Sequence, residues 1–320
     1  MRYALRRLLH SMVLLAGVSF ASFVFAGMAP GDFFSEMRLD PTVTEQTVEA
    51  MRARQGLDRP LPVRYVSWLA SLARGEFGYS LAYNAPVGPL LRERIPGTLL
   101  LTASATLLAW LLAIPLGIWN AAKRRTWTDM LSQAMLAVLL SIPELLLVVV
   151  LLVAAVRTGW LPAGGMHSTG YTDLPPLDRL RDTLRHMAIP VAALTAGMLP
   201  LLARHVRAAV ADCLDSPFVL AARAHGIPRV RLLFFHILPV ALNPLLTLFG
   251  FSLGTLLSAS VLVEVLVGWP GLGPLFLEAI MARDFALVLG VAMSSTALLI
   301  AGNLAADLLL YRADPRIRTS

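Results

Sequence analysis

Residues 95–122 read IPGTLLLTASATLLAWLLAIPLGIWNAA and contain no Asp, Glu, Lys or Arg. About 20 consecutive apolar residues in an α-helix cross the hydrocarbon core of a bilayer, which is about 30 Å thick. An uncharged stretch of this length is typical of a transmembrane helix rather than of a helix buried in a soluble domain. The stretch therefore predicts a membrane span that starts after Pro96-Gly97.

Five further stretches have the same apolar character, and together they predict an all-α, polytopic membrane bundle with about six transmembrane helices. The first covers residues 8–31, the third 130–156, the fourth 187–203 with a possible extension toward Ala211, the fifth 232–263 with its start near Pro239, and the sixth 285–310. Pro190 and Pro200 interrupt the fourth stretch, which makes it the weakest of the six predictions.

The overall composition agrees with a membrane protein. Hydrophobic residues make up 57% of the chain and charged residues 15%, whereas soluble domains carry about 25% charged residues. The single cysteine, Cys213, rules out an intrachain disulfide and a cysteine-built metal site, and the histidines show no metal-ligand spacing. We therefore expect no metal site.

The first apolar stretch has an alternative interpretation as a signal peptide, with Arg6 and Arg7 as its charged leader. The stretch is long for a signal peptide and has no clean small-x-small cleavage pattern. A transmembrane helix is therefore the favoured interpretation.

The distribution of charge predicts the orientation. With the N-terminus in the cytoplasm, the inner segments 1–7, 121–129, 203–238 and 311–320 carry net charges of +3, +2, +3 and +2. The outer segments 32–96, 157–186 and 267–284 carry 0, +1 and −1. Excess positive charge on the cytoplasmic side is the rule for membrane proteins. The net charge of +7 thus indicates membrane orientation, with both termini cytoplasmic, and not nucleic-acid binding.

These segments divide the chain into three predicted parts: an N-terminal tail and first span (1–31), a periplasmic segment (32–96), and a five-helix core (97–320) with a cytoplasmic loop (212–238). In the periplasmic segment, Thr42-x-x-Glu45 is a capping-box pattern that predicts a helix ending at Gly56. A second helix is predicted over residues 63–74, with Val63, Val66, Leu69 and Ala70 on one side and Tyr65 and Trp68 beside them. It would lie in the membrane interface or pack on the outer ends of the spans.

The chain has no sequence motif for phosphate binding. No GxxxxGK[ST] loop occurs, since Lys123, the only lysine, follows Ala122. Charges inside the bilayer are costly and usually functional, but Glu144 and Asp307 are too few and too far apart in sequence to specify a proton relay. We therefore expect no enzyme, no cofactor on this chain, and an energy source on a partner.

Residues 215–239, DSPFVLAARAHGIPRVRLLFFHILP, predict two short helices joined at a glycine. Ser216-Pro217 is a helix start, and Gly226 would end the helix in a left-handed conformation. Pro228 would open the second helix and Pro239 the next span. An ordinary connector between spans is the alternative interpretation of this loop.

This loop resembles the EAA-x3-G-x9-I-x-L-P pattern of the membrane subunits of bacterial binding-protein-dependent ABC importers. Ala221-Ala222 is followed by Gly226 at the family spacing, and then by His236 and Leu238-Pro239. The chain departs from the pattern at Leu220, where the family often has Glu, and at His236, where it often has Ile.

The resemblance extends over nearly the whole chain and is specific to the dipeptide, oligopeptide and nickel branch. Motifs shared with that branch are Arg6-Arg7-Leu8-Leu9, Pro30-Gly31-Asp32, Gly56-Leu57-Asp58, Phe77-Gly78-x-Ser80, Pro96-x-Thr98-Leu99, Glu264 with Trp269-Pro270-Gly271-Leu272-Gly273, Glu278-Ala279-Ile280, Arg283-Asp284, Asn303, Asp307 and Asp314-Pro315-Arg316.

The resemblance implies a permease subunit of an ATP-driven importer in the bacterial inner membrane, which forms half of the pathway for short peptides. It implies a second permease subunit, two ATPase subunits that bind ATP and Mg, and an extracytoplasmic solute-binding protein as partners, besides the lipid bilayer. Nickel or a metal chelate is the alternative substrate, and an ATP-independent secondary carrier is a more distant alternative function.

The resemblance also implies roles for individual residues. The ATPase-coupling loop would use Ala221, Ala222, Gly226, Pro228, His236, Leu238 and Pro239. The outer gate or binding-protein contact would use Glu264, Trp269, Pro270, Gly271 and Gly273. Asn303 and Asp307 are four residues apart, so they share a helix face, where hydrogen bonds to another helix are favoured over substrate contact.

Overall fold

The computed structural model describes residues 2–28, 31, 33–35, 44–54, 56 and 58–313, and it confirms the predicted all-helical membrane bundle. The helices in chain order are α1 (Arg2–Met28), α2 (Glu45–Arg54), α3 (Leu61–Ala73), α4 (Val87–Ala122), α5 (Trp127–Ser141), α6 (Glu144–Thr158), α7 (Pro176–Leu214), α8 (Pro217–Ala224), α9 (Arg229–Leu232), α10 (Leu238–Val267), α11 (Leu272–Met281) and α12 (Phe285–Ala313). The strands β1 (Tyr79–Ser80) and β2 (Ala85–Pro86) form an antiparallel hairpin.

The number of spans agrees with the prediction of about six. In the described part of the chain, the stretches long and apolar enough to cross a membrane are Leu9–Ser35, Val87–Ala122, Pro176–Leu214, Leu248–Val267 and Phe285–Ala305. The pair α5 and α6 adds a sixth span if the two helices are counted together.

The third predicted span is not one continuous helix, because α5 and α6 are bent by 92° at the break between them. Ile142 ends α5 in an extended conformation (φ −83°, ψ 121°), and Pro143 immediately precedes α6. A residue before proline is disfavoured in the helical region, since the proline ring clashes with its backbone. The Ile142-Pro143 pair therefore explains the break, which lies inside the predicted third span.

The second span starts earlier than predicted. Helix α4 begins at Val87 and continues through Pro96. Val87 and Leu91 are buried in a hydrophobic cluster with Leu272 and Leu287, so packing stabilises the helical turns before the proline. Tertiary contacts thus outweigh the local preference of Pro96 for a helix start.

The fourth span, which was the weakest prediction, belongs to a helix of 39 residues. Helix α7 continues through Pro190 and Pro200, and both prolines are buried. It packs against α5, α6 and α10. Burial on several sides stabilises a helix in which two backbone hydrogen bonds are missing.

The two helices predicted within residues 32–96 are present with shifted starts. Helix α2 begins at Glu45, and Thr44 accepts the first backbone hydrogen bonds from Thr47 and Val48. The predicted cap, Thr42, lies outside the described residues. Helix α3 begins at Leu61, directly after Pro60, two residues before the predicted start.

The helices group into two compact units. Unit 1 contains Met1–Thr98 and Pro270–Ile300, and unit 2 contains Leu99–Trp269 and Ala301–Ser320. The core of unit 2 is built largely from α4, α7 and α10, with buried residues such as Leu101, Leu194 and Leu256. The three parts predicted from the sequence are defined by the side of the membrane on which each lies. Units 1 and 2 are defined by packing contacts instead, so the three-part division stays a prediction.

Candidate functional site

The predicted loop between the fourth and fifth spans starts directly at the end of α7. Asp215 ends α7, and the carbonyl oxygen of Ser216 accepts the first hydrogen bonds of α8 from Val219 and Leu220, at 3.1 and 3.3 Å. The hydroxyl of Ser216 donates to the carbonyl of Cys213 instead of capping α8. Ser216 thus occupies the predicted N-cap position without a side-chain cap.

Gly226 closes α8 in the predicted left-handed conformation, with φ at +73°. Its N–H donates to the carbonyl of Arg223 at 2.9 Å, and the N–H of Ile227 donates to the carbonyl of Ala222 at 3.2 Å. This pair of bonds is the Schellman motif, in which glycine has no steric penalty. A Cβ atom at Gly226 would have no atom within 4 Å, so a side chain there would project into open space.

Apolar side chains of this loop divide into two sets. Val219 and Leu232 are buried in the core of unit 2 and fix the loop to the spans. Leu220, Phe234 and Phe235 are between 54% and 74% exposed. The loop is therefore held to the spans by buried residues and also exposes large apolar side chains.

The loop joins α10 through a π-helical turn. Residues Leu233–Ile237 form this turn, and the N–H of Leu238 donates to the carbonyl of Leu233. Pro239 follows in the first turn of α10, where its missing N–H is tolerated. The Nδ1 atom of His236 is buried and has no hydrogen-bond partner among the described residues. Turns of this type are frequent at functional sites.

Two ion pairs link the C-terminal part of α7 to the first turn of α5 and to the short connection before it. Arg207 donates two hydrogen bonds to the carboxylate of Asp129, at 2.9 and 2.7 Å. Arg124 donates two to Asp215, at 2.6 Å each. The guanidinium of Arg124 lowers the pKa of Asp215 below its ordinary value, through hydrogen bonding and then charge attraction. We call these four residues the inner clasp.

The inner clasp was missed by sequence reasoning. The only indication of these pairs in the sequence was that the predicted inner segments 121–129 and 203–238 both contain positively and negatively charged residues. That signal does not select partners, because each segment contains several charged residues.

The residues predicted for the outer gate or binding-protein contact are largely buried. Glu264 and Trp269 are both 0% exposed, and the N–H of Trp269 donates to the carbonyl of Glu264 at 2.9 Å. Trp269 belongs to the core of unit 2. Gly271 and Gly273 are also buried. Their predicted role, in the outer gate or in the binding-protein contact, stays a prediction.

Asp284 organises the end of unit 1 that carries the hairpin, and it was also missed as a functional candidate. Its carboxylate accepts hydrogen bonds from the Ser80 hydroxyl at 2.7 Å, from the Ala82 N–H at 3.0 Å and from the Leu287 N–H at 3.1 Å. Asp284 is 1% exposed. It is thus the N-cap of α12 and the anchor of the hairpin.

A second contact joins the hairpin to α11. The Tyr83 hydroxyl donates a hydrogen bond to Glu278. Partial burial, followed by this contact, raises the pKa of Tyr83 to about 12. The tyrosine is therefore neutral and able to donate over the whole physiological pH range.

The remaining predicted residues lie on α12. Asn303 is exposed, and no hydrogen bond joins it to another described residue. The side chain of Asp307 lies outside the described residues. Their predicted role in helix contacts stays a prediction. Among the described residues, no group of His, Cys, Asp and Glu is placed to hold a metal ion.

Comparison with known proteins identifies the family of this chain. Residues 113–319 match the family described as the inner membrane component of binding-protein-dependent transport systems, and residues 1–102 match the N-terminal region of such membrane components. The chain belongs to this family.

Individual relatives align with this chain over nearly its full length. The oligopeptide transport system permease protein AppB of Bacillus subtilis is 34% identical, with 98% of each chain covered. The probable D,D-dipeptide transport system permease protein DdpB of Escherichia coli is 34% identical, over 96% of this chain and 94% of the relative. OppB of Mycobacterium tuberculosis is 31% identical over 100% and 99%.

A solved structure has the same fold as part of this chain. A chain of the inward-facing MetNI methionine ABC transporter superposes with a TM-score of 0.57, at 21% identity, over 70% of this chain and 96% of that chain. At this identity the likeness concerns the fold alone. The predicted resemblance to ABC importer membrane subunits is confirmed.

Proposed function

We propose that this chain is a permease subunit of an ATP-driven importer and forms half of the pathway that carries short peptides across the bacterial inner membrane. Its family, the full-length likeness to oligopeptide and dipeptide permeases, and its helical spans support the proposal. The positive charge of the predicted inner segments supports cytoplasmic termini.

The observation that carries the mechanism is the construction of the loop around α8. Val219 anchors α8 to the spans, Leu220 lies exposed, and Gly226 turns the chain sharply. We infer that an ATPase subunit receives this exposed surface. Ala221, Ala222 and Pro228 would make close contact because small or rigid residues let the loop enter a groove.

Movement of the loop would reach the spans by two routes. His236, Leu238 and Pro239 lie in or next to the π-helical turn that joins the loop to α10. The inner clasp joins the C-terminal part of α7 to α5 and to the connection before α5. Closure of the ATPase pair shifts the spans only if the ATPase binds one arrangement of the loop better than the other.

The partners follow from this assignment. A second permease subunit would complete the pathway, two ATPase subunits would bind ATP and Mg, and a solute-binding protein would deliver the peptide. Asn303 and Asp307 would contact helices of the assembly. The outer gate or the binding-protein contact would use Glu264, Trp269, Pro270, Gly271 and Gly273. No cofactor and no enzymatic step are assigned to this chain.

The test compares two glycines with the same backbone conformation and the same open surroundings. Gly226 has φ +73° and Gly159 has φ +67°, both end a helix, and a Cβ atom at either would have no atom within 4 Å. Complexes with Gly226→Asp or Gly159→Asp are reconstituted into proteoliposomes, and ATP-dependent peptide uptake and ATP hydrolysis are measured.

We expect Gly226→Asp to insert and assemble but to lose peptide uptake and peptide-stimulated ATP hydrolysis, while Gly159→Asp retains both. Full uptake by Gly226→Asp would contradict the coupling role. Uptake by this chain without any ATPase would overturn the ATP-driven assignment. Uptake of nickel or a chelate in place of peptides would change the substrate class and leave the coupling mechanism standing.

A further inference from the structure

Helix α3 packs on α1 through one side only. The Tyr65 hydroxyl lies 2.9 Å from the Ser19 hydroxyl, and the Tyr65 ring makes an edge contact with Phe23 at 5.2 Å between centroids. The Trp68 ring also lies near Phe23, at 5.7 Å. These contacts hold the side of α3 that carries Tyr65 and Trp68 against α1.

The contacts set the depth of α3 along α1. Leu61 lies against Gly27, since a Cβ atom on that glycine would be 2.6 Å from the leucine Cδ2. Tyr65 reaches Ser19, which is nine residues before Met28, the last residue of α1. At a rise of 1.5 Å per residue this is about 13 Å, and half of the hydrocarbon core is about 15 Å thick. Helix α3 therefore lies beside the membrane-embedded part of α1.

The other side of α3 is apolar and exposed. Val63 is 50% exposed, Val66 65% and Leu69 36%, and Ala70 is exposed beside them. At 100° per residue these four side chains cover an arc of about 120°. An arc of this width is typical of the buried stripe of an amphipathic helix, yet no described residue covers it.

We propose that acyl chains and headgroups of phospholipid cover this side of α3, which makes the helix an interfacial anchor of the periplasmic segment. The leaflet is the one at the Met28 end of α1, which is the outer leaflet in the orientation proposed above.

Two observations favour lipid as the occupant. Helix α1, against which α3 packs, is long and apolar enough to cross a membrane, and it exposes Phe25 and Met28 by 75% and 71% near the same end. Ser67 and Arg74 border the apolar arc and are exposed, as expected where an interfacial helix meets headgroups.

The test uses spin labels at single cysteines in the complete complex, reconstituted into phospholipid nanodiscs. Cys213→Ala provides the background, and its transport activity is measured first. Labels are placed at Val63→Cys, Val66→Cys and Leu69→Cys on the apolar arc. Glu76→Cys, just beyond α3, is the matched control, since this side chain is exposed and polar. Collisions with oxygen, which concentrates in lipid, are compared with collisions with a water-soluble nickel chelate.

We expect the three arc labels to collide often with oxygen and rarely with the nickel chelate, so that the chelate broadens their spectra little. The Glu76→Cys label should collide often with the chelate and less with oxygen. Nickel broadening of the arc labels equal to that of Glu76→Cys would overturn the proposal in favour of an aqueous surface. Shielding of the arc labels from both reagents would overturn it in favour of a protein partner. Neither outcome depends on the transported substrate.

Discussion

The Asp129 carboxylate lies 2.9 and 2.7 Å from two guanidinium nitrogens of Arg207, across 78 residues of sequence. Asp129 is 4% exposed and lies in the first turn of α5, while Arg207 lies two turns before the end of α7. This contact fixes the start of the bent α5–α6 pair to the helix from which α8 departs.

Loss of Arg207 is expected to destabilise the protein. The Arg207→Ala variant leaves the buried Asp129 carboxylate with the backbone N–H of Arg125 as its remaining donor, and loss of donors to a buried group costs about 1–3 kcal/mol. Thermal unfolding of the purified complex should show this loss, while Arg204→Ala, an exposed residue of the same helix, should unfold like the wild type. The exchange Asp129→Arg with Arg207→Asp should recover part of the stability. Equal effects of Arg204→Ala and Arg207→Ala would contradict a structural role for the pair.

The second pair of the inner clasp should contribute far less to stability. Asp215 and Arg124 are 63% and 38% exposed, and exposed pairs are screened by water and salt. The lowered pKa of Asp215 means that its contribution is complete above about pH 4, the ordinary carboxyl pKa, and is lost as the pH falls through the lowered value. Asp215→Asn should therefore change thermal unfolding little, and by the same amount from pH 8 to pH 5. A difference that shrinks within that range would contradict this account.

Asp284 should control the attachment of the hairpin. The Asp284→Ala variant removes three hydrogen bonds and the N-cap of α12, and loss of such a cap alone costs about 0.5–2 kcal/mol. We expect faster amide hydrogen exchange in the hairpin and in the first turn of α12. Asp182→Ala, which removes an acceptor from exposed Ser168, serves as the control. Unchanged exchange in the Asp284→Ala hairpin would show that other contacts hold it.

Gly117 should tolerate no side chain. A Cβ atom there would lie 2.6 Å from Val206 Cβ and 2.8 Å from the carbonyl oxygen of Ala203, so α4 and α7 would have to separate. At Gly302 the nearest atom would be Leu253 Cβ at 3.5 Å, which is an ordinary contact. We expect Gly117→Ala to cost about 1–3 kcal/mol and to lower the yield of folded complex. Gly302→Ala should behave like the wild type, and similar yields for both variants would contradict the close crossing.

The sequence predicted the loop between the fourth and fifth spans in detail because its signals are local. Pro217, Gly226 and Pro228 act on the backbone of their immediate neighbours, and the observed helices α8 and α9 follow them. The break at Ile142-Pro143 carried an equally local signal, but the high apolarity of residues 130–156 led to the prediction of a single span. Hydropathy shows how long an apolar stretch is, and periodicity shows which residues share a helix face. Neither detects a bend such as the one between α5 and α6.

At two prolines, tertiary packing outweighed the local preference for a helix to end or start. Pro96 and Pro200 lie inside helices, since contacts made by the flanking turns outweigh the lost backbone hydrogen bonds. Likewise, the residues predicted to share one side of α3 do share it, but the sequence left open whether that side is packed. The contacts of Tyr65 and Trp68 with α1 decide that it is exposed.

By itself, the sequence determined that the chain crosses a membrane several times and that a glycine turns the loop after α7. These properties depend on the apolarity of single stretches and on the conformational limits of single residues. Only the tertiary structure decided that Asp129 pairs with Arg207 and that Asp284 anchors the hairpin. Such pairs join residues far apart in the chain, and a partner is selected by the position of its helix, which local sequence does not encode.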